Sequence, residues 1–269
     1  MPNVPNEQAV RFLGLDLAWS ERNGSGLAAL DGNGRLIEAR VERWDNAAIG
    51  AWIVGLLAGR AGAIAIDMPT IVRNREGSRA CERDLGRDFH RHQAGAHPAN
   101  LRRFAGPGRA HRLLAELARD GVVHTRDVEP FDRRAVAFEV YPHPAMIRLF
   151  GLCTTIKYKK KNRPWPSVLA EWGRYRRHLA TLASADPPLV LDDALLADEP
   201  QRERYKSWDD RIDGVFCAYL AAWVWRHGTT GGKVCTYGAL RDGVDHGHIL
   251  VPNPTGVHAG HHCSAALLA

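Results

Sequence analysis

Apolar residues in the first part of the chain fall into short runs of the kind that form β-strands. The runs cover residues 11–19, 25–30 and 35–43, and the turn sequence DGNG at 31–34 separates the last two. A turn of this composition joins neighbouring antiparallel strands. The pattern therefore predicts a three-stranded antiparallel meander at the start of the fold.

Two later runs are apolar without alternation, which is typical of parallel strands covered on both faces. They span residues 62–67, stopped by Pro69, and 135–140, stopped by Pro142. A last short strand is predicted at 248–251. Counting the meander and the two parallel strands, we expect a mixed sheet of five strands.

Helical periodicity occupies most of the remaining sequence. Asp45 is a suitable N-cap for a helix that runs to Leu57, and a short helix is expected to end at Phe150. Further helices are expected at 78–92, 110–119, 165–182 and 206–227. This order of elements predicts an α/β fold with helices flanking a mixed sheet.

We expect one domain over residues 11–252, with helical insertions around 70–120 and 150–205. Residues 1–10 are predicted to be a disordered N-terminus and residues 253–269 a mobile tail rich in Gly and His. The tail contains a set that superficially resembles metal ligands, which we interpret as part of the mobile segment: His258, His261, His262 and Cys263.

Lys and Arg outnumber Asp and Glu by 36 to 30, which gives a net charge of +6 and favours an anionic partner. The five cysteines are odd in number and lack C-x-x-C spacing, which argues against a zinc ribbon or a disulfide framework. A reducing cytoplasm is therefore expected. No signal peptide and no run near the ~20 apolar residues of a membrane span is recognised, so no membrane partner is predicted. An oligomer is compatible with the sequence.

Acidic residues interrupt the predicted core elements at several points. Asp16, Asp67 and Glu139 each stand in or at the end of a predicted strand, and Asp210 and Asp213 lie in the first turns of the long helix. A buried carboxylate is costly unless it is paired, hydrogen-bonded or bound to metal. Each one alone is equally well explained by a turn, a strand-end hydrogen bond or a helix N-terminal charge, whereas the set favours one shared site.

Coordination of Mg²⁺ or Mn²⁺ would explain such a set of carboxylates, because hard cations bind carboxylate oxygens. Two ions ~4 Å apart can clamp the attacking and leaving oxygens of a phosphoryl displacement. Neighbouring strands lie ~4.8 Å apart, so carboxylates at the same level can share the ions. The sequence therefore predicts a divalent-metal centre with two ions.

Several segments resemble the uncharacterised family of predicted RNase H-like nucleases: GLDLAWS, AIDMPT, RACERDL, FEVYPHPA, KYK and DDRIDGVFCAYLAA. The resemblance runs from about Phe12 to Pro252. The helix pair Asp210 and Asp213 is also similar to the D-x-x-D pair of RuvC-type Holliday-junction resolvases, with Gly214 in place of the usual alanine. The resemblance implies an RNase H-like fold and, by analogy, metal-dependent hydrolysis of nucleic acid.

Carried over to this chain, the resemblance makes Asp16 the central metal ligand, Asp67 the second strand ligand, and Asp213 with Asp210 the helix ligands. Asp16, Asp67, Asp213 and Glu139 are the expected catalytic residues. For Glu139 three roles stay open: metal ligand, orientation of a water, or holding a basic residue. His143 beside it is interpreted as packing in a turn rather than relaying protons.

Basic residues form further candidate contacts to nucleic acid, DNA or RNA. The run KYKKKNR at 157–163 lacks acidic neighbours in sequence and favours phosphate binding through Lys157, Lys159, Lys160 and Lys161. Arginines at four-residue spacing predict a helical stripe that includes Arg79 and Arg83. The stripe is equally consistent with a solvated face paired to Glu82, Asp84 and Asp88.

The predicted function is therefore a metal-dependent nuclease, a hydrolase of phosphodiester bonds. Two alternatives stay open. One is an actin-like ATP-dependent phosphotransferase, although no second DxG-type hairpin is present. The other is a nucleic-acid-binding module of the same fold in which the acidic site is not catalytic.

Overall fold

The computed structural model describes residues 10–104, 106, 108–192, 195–196 and 200–256. A six-stranded mixed sheet forms its centre, in the spatial order β3-β2-β1-β4-β6-β5. The strands are β1 (Arg11–Asp16), β2 (Ser25–Asp31), β3 (Leu36–Glu42), β4 (Gly62–Ile66), β5 (Val123–His124) and β6 (Ala135–Glu139). Strands β1 to β3 are antiparallel, and β4, β6 and β5 add in parallel. The mixed α/β prediction is confirmed at this level.

The predicted hairpin turn is formed by its own side chain. The carboxylate of Asp31 accepts the backbone N–H groups of Asn33 and Arg35, both at 2.9 Å. Gly34 has φ of 73°, a conformation that disfavours residues with a Cβ. The DGNG sequence thus fixes the connection between β2 and β3 locally.

The predicted number of strands was wrong, because the sheet has six strands rather than five. The additional strand, β5, is two residues long and pairs in parallel with the edge of β6. Two residues are too few to show a period in the sequence. The strand predicted at 248–251 exists as β8 (Ile249–Pro252), but it pairs with β7 (Val234–Tyr237) in a separate two-stranded sheet.

The helices lie close to the predicted ranges. They are α1 (Asn46–Leu57), α2 (Ala80–Phe89), α3 (Leu101–Phe104), α4 (Arg109–Leu117), α5 (Pro142–Phe150), α6 (Trp165–Thr181) and α7 (Tyr205–His227). Asp45 caps α1 as predicted, accepting the N–H of Ala48 at 2.8 Å. Helix α2 is shorter than the predicted 78–92. Among the described helices, none combines the length and apolarity needed to cross a bilayer.

The sheet buries both faces, so alternate residues of each strand enter different cores. One core contains Phe12, Ala63, Ala65, Val136 and Phe138 with residues of α5, α6 and α7. The other contains Leu13, Leu15, Ile64, Ile66 and Ala137 with residues of α1 and α4. The molecule is therefore layered helix–sheet–helix, and the side on which a strand residue points decides which helices it meets.

Helix α7 touches the sheet backbone through three glycines. A Cβ on Gly14 of β1 would lie 2.0 Å from the backbone nitrogen of Ala218, and one on Gly26 of β2 would lie 1.7 Å from the carbonyl oxygen of Asp210. A Cβ on Gly214 of α7 would lie 2.8 Å from the backbone of Gly26. Gly214, which departs from the alanine usual in the resembled helix pair, is therefore required by this close approach.

Packed structure extends slightly beyond the predicted domain at both ends. Residues 1–9 and 257–269 lie outside the described residues, and with them the tail set His258, His261, His262 and Cys263. Val10 and Asn253 are both fully buried, so packed structure extends one residue beyond each end of the predicted 11–252.

Cys81, Cys217 and Cys235 are free thiols. Cys153 is disulfide-bonded, which the argument for a reducing compartment did not anticipate.

The glycine contact predicts that Gly14→Ala destabilises the protein by about 2 kcal/mol or more, because overpacking a backbone contact forces strand and helix apart. Gly55, on the exposed face of α1, has nothing within 4 Å of a built Cβ. Gly55→Ala should leave the free energy of unfolding unchanged or raise it by about 0.5–1 kcal/mol. Urea denaturation of both variants checks the pair, and equal effects at the two positions would contradict the proposed contact.

Candidate active site

Two carboxylates lie side by side at the carboxyl ends of neighbouring strands. Asp16 ends β1, and Asp67 directly follows β4. Their preceding residues, Leu15 and Ile66, are partners in the parallel ladder, and the N–H of Asp67 donates to the carbonyl of Leu15 at 2.8 Å. Alternation from Gly14 and Ala65 places both carboxylates on the face covered by α7. The predicted convergence of these two residues is present in the structure.

The first turns of α7 bring three more carboxylates to this face. Asp209, Asp210 and Asp213 are all buried. The carbonyl of Asp210 lies directly over Gly26, so the helix pair is set against the start of β2 and the end of β1. Asp213 lies close enough to Asp16 to raise the pKa of the Asp16 carboxyl, in addition to the effect of burial.

Two lysines neutralise part of this charge. The Lys159 ammonium lies 2.5 Å from Oδ2 of Asp213 and is mostly buried. The Lys206 ammonium contacts Oδ1 of Asp210 and lies 3.3 Å from Oδ1 of Asp209, but its side chain is largely in solvent. An exposed ion pair of this kind contributes little to stability, and another cation can readily replace the lysine. Lys159 is therefore the principal internal cation of the acidic centre.

The shifted pKa values of the site residues show that the site contains more carboxylates than its lysines can neutralise. Burial raises the pKa of Asp16 well above its usual value, and the neighbouring Asp213 raises it further. Burial also raises the pKa of Asp67 to about 7, although Lys159 acts in the opposite direction. The pKa of Asp209 rises to about 7 through burial and Asp213. Burial lowers the pKa of Lys159, but Asp213 and Asp16 outweigh it and leave that pKa raised. The centre favours an additional cation.

The carboxylates open into a cleft of about 760 Å³. Asp16, Asp67 and Asp210 lie at its base, and Asp213 lies beneath them, where it accepts a hydrogen bond from the buried hydroxyl of Tyr158. The rim carries side chains of opposite charge to the base, namely Arg43, Lys157, Lys161 and Arg163. An anionic ligand that enters this cleft meets the basic rim before the acidic base.

Glu139 lines the same cleft as Asp16, Asp67 and Asp210 and contributes to the raised pKa of Asp67, but its carboxylate is engaged by a different set of partners. Its ladder partner is Ile66 rather than Asp67, so it points toward the opposite face of the sheet. Its carboxylate accepts bonds from the backbone and hydroxyl of Thr70 and from the guanidinium of Arg79. Of the three roles considered, holding a basic residue is the one the contacts display. Glu139 thus reaches the cleft from the opposite side of the sheet, which sequence alone did not predict because it does not give the register of β6.

Arg79, expected to contact phosphates, is buried at the N-terminus of α2. It bridges Glu139 and Glu82, with a 2.7 Å bond from Nε to Glu82. This bridge holds the Thr70 segment and α2 against the end of the sheet. Arg83 is exposed on α2 and lies outside the cleft. The arginine stripe therefore does not form one continuous phosphate surface.

The lysine run divides between two environments. Lys157 and Lys161 line the cleft, whereas Lys160 is exposed and is not among its lining residues. Lys159 contacts Asp213 and belongs to the acidic centre. The sequence showed no acidic partner because Asp213 lies 54 positions later in the chain.

His143 lines the cleft from the first turn of α5 rather than from a turn. Its Nδ1 lies 3.0 Å from the hydroxyl of Thr155. Burial, reinforced by the positive charge of Lys159, lowers its pKa to about 3. The imidazole is therefore neutral at physiological pH and offers hydrogen bonds rather than charge.

Sequence reasoning missed three members of the site: Asp209, Lys206 and Tyr158. Asp209 stands beside Asp210 in the sequence and was not among the predicted ligands. The (i, i+3) and (i, i+4) spacing of Lys206 to Asp209 and Asp210 is visible in the sequence and would have suggested these pairs. Tyr158 gave no signal, since only the fold brings its hydroxyl to Asp213.

The donor set suits a hard divalent ion, because Asp16, Asp67, Asp210 and Asp213 supply oxygen only. Among the described residues, however, no three His, Cys, Asp or Glu side chains already stand in a metal-binding arrangement. Two of the four carboxylates are engaged by lysine ammonium groups instead. A metal ion bound by all four carboxylates would therefore compete with Lys159 for Asp213 and with Lys206 for Asp210.

Comparison with known proteins gives one match. A family model described as "Protein of unknown function (DUF429)" matches residues 14–238, which include every carboxylate of the site. No curated protein and no solved structure matches the chain.

The pKa of Asp67 predicts a pH-dependent effect of Asp67→Asn. Because the folded carboxyl titrates near 7, above its usual 3.8, stability is lost as pH rises between those values. The variant removes this loss, so it should exceed wild type in stability at pH 8 by up to about 4 kcal/mol, from roughly three pKa units at about 1.4 kcal/mol each, and by much less near pH 4. Urea denaturation in EDTA at both values measures this. The exposed Asp120→Asn is the control, and a pH-independent difference for Asp67→Asn would argue against the raised pKa.

Proposed function

We propose that this chain, which belongs to the DUF429 family of proteins of unknown function, is a divalent-metal-dependent nuclease that hydrolyses phosphodiester bonds of nucleic acid. The observation that carries the proposal is a group of buried and half-buried carboxylates, of which Asp16 and Asp67 have raised pKa values, at the base of a basic-rimmed cleft. Perturbed acids inside a cleft mark functional sites. A basic rim attracts a phosphodiester backbone.

The architecture supports the same proposal. A meander of three antiparallel strands followed by parallel strands is the layout expected for an RNase H-like fold. Asp16 ends the central first strand, and the pair Asp210 and Asp213 faces it from the long helix. This is the placement that the resemblance to RNase H-like nucleases implies for the metal ligands.

Asp16, Asp67, Asp210 and Asp213 would hold Mg²⁺ or Mn²⁺, and we propose two such ions. When bound, such ions supply an activated water and stabilise charge on the phosphoryl oxygens. Their positive charge would also relieve the repulsion that raises the pKa of Asp16 and Asp67. Lys159, displaced from Asp213, would remain at the cleft as a donor to a phosphate oxygen.

The remaining residues bind and orient. Lys157 and Lys161 would hold phosphates on either side of the acidic base. The buried pair of Glu139 and Arg79 fixes the segment after Asp67, because Thr70 is bonded to the same carboxylate. Glu139 is thus assigned a positioning role.

A second candidate is supported by the lysines. With Lys159 and Lys206 on the carboxylates, the centre is partly neutralised without metal. That arrangement is also suitable for a nucleic-acid-binding module that performs no chemistry. The two candidates differ in whether phosphodiester bonds are cut and whether metal binds.

Cleavage tests the catalytic proposal. With Mn²⁺, the wild type should cut single- or double-stranded DNA or RNA, and Asp16→Asn should reduce the rate by more than roughly 100-fold, since even outer residues of metal sites typically cost 10–100-fold. Asp120→Asn, outside the cleft, is the matched control. Binding without cleavage of any substrate would favour the non-catalytic module.

Metal binding tests the role of Lys159 separately from activity. Lys159→Met removes the competing ammonium, so calorimetric Mn²⁺ affinity should rise by roughly ten-fold or more, because a charge pair at ~4 Å is worth about 4 kcal/mol at an effective dielectric of 20. Lys160→Met changes the neighbouring exposed lysine and should bind like wild type. If neither wild type nor Lys159→Met binds Mn²⁺, the metal centre is refuted.

A further inference from the structure

Trp19 is exposed at the edge of the cleft, three residues after Asp16. Its side chain is 45% accessible, and among the described residues it is the one aromatic group in the set of exposed large apolar side chains. The indole lines the same cleft as Asp16, Asp67 and Asp210. The indole therefore presents a flat, partly apolar surface to solvent directly beside the acidic base.

The backbone that presents Trp19 is held firmly. The N–H of Ala18 donates to the Ser25 hydroxyl at 3.1 Å, and the carbonyl of Ala18 accepts from Arg109 at 3.1 Å. Arg109 is itself buried and bonded to Asn46. These bonds fix the backbone from which the Trp19 side chain projects. A ligand that binds the indole would therefore meet a pre-positioned surface.

A guanidinium covers one face of the ring, and a second aromatic ring packs against it at a tilt of 39°. Phe104 packs against it with 4.9 Å between centroids, and the Arg103 guanidinium lies 4.6 Å from the ring centre. An arginine over an indole combines a cation–π contact with a free edge for a phosphate oxygen. Aromatic and basic groups together at one site are the composition that binds unpaired nucleotides.

The cleft continues beyond the acidic base. A second cleft of about 730 Å³ shares Gly24, Arg43, Lys206 and Asp210 with the first. It adds Arg204 and Arg211 to its walls, and Nε of Arg211 is buried without a hydrogen-bond partner. The two clefts together form a path with basic walls that runs past the carboxylates.

We infer that the ligand of this path is a single nucleic-acid strand, with one unpaired base stacked on Trp19. The inference rests on the proposed function for its substrate class and narrows that class to single-stranded or locally unpaired nucleic acid. In a duplex, both faces of every internal base are covered by neighbouring bases. The indole at the rim can therefore stack only on a base that is not covered on both faces by neighbouring bases.

Binding without cleavage tests the inference. A fluorescein-labelled single-stranded DNA oligonucleotide and the same strand in a duplex are titrated in EDTA and followed by fluorescence anisotropy. Trp19→Leu should weaken single-strand binding by roughly 5- to 100-fold, the range typical of losing one base–aromatic stack. Trp19→Phe should retain most of the affinity, and the duplex affinity should not change with either variant.

The control variant is Leu240→Ala, since Leu240 is 49% exposed and lines neither cleft. Its single-strand affinity should equal that of wild type. A strand that carries 2-aminopurine adds a direct signal, because stacking on Trp19 quenches its emission in wild type and not in Trp19→Leu. Equal single-strand affinity of wild type and Trp19→Leu, or an equal loss on the duplex, overturns the inference.

The outcomes separate this inference from the nuclease proposal. Binding that depends on Trp19 without cleavage under Mn²⁺ supports the inference and counts against the nuclease. Cleavage that is unchanged in Trp19→Leu supports the nuclease and overturns the inference.

Discussion

The direct contact between helix α7 and strands β1 and β2 is the constraint on which the site depends. Gly14, Gly26 and Gly214 remove the side chains that would otherwise keep helix and sheet a normal packing distance apart. The first turns of α7 consequently lie against the carboxyl end of β1. A helix at ordinary packing distance would hold Asp210 and Asp213 farther from Asp16 and so weaken their electrostatic effect on it.

This contact concentrates charge in a place where water is scarce. Five carboxylates share the space, and among them Asp16, Asp67 and Asp209 have raised pKa values. Such a group of like charges persists only if the remainder of the fold holds it, or if cations neutralise it. Lys159 supplies one buried positive charge, which is fewer than the carboxylates require. The acidic centre therefore stores electrostatic strain that an entering cation would release.

The sequence predicted this centre unevenly, for identifiable reasons. Asp16 and Asp67 could be placed because each follows an apolar run, and the Asp210 and Asp213 pair because helical spacing puts both on one face. Glu139 could not, since its side of the sheet depends on a register that only the folded chain defines. The pairing of Lys159 with Asp213 and the edge strand β5 were equally beyond reach, because both are contacts between distant segments. Gly214 looked like a mild departure from a motif, whereas in the fold it is a condition for the motif to function.

The site also divides its tasks between rigid and connecting segments. The carboxylates stand on strands and on a long buried helix, which hold charged groups to the small tolerances that chemistry needs. Trp19, Lys157 and Lys161 stand on loops around that base, where side chains can follow the shape of a ligand. The position of the acidic centre is thus determined by the packing of α7 on the sheet, whereas the loops determine the shape and the charge of the cleft above it. A change in the loops alone would therefore alter the rim of the cleft and leave the carboxylates where the glycine contact places them.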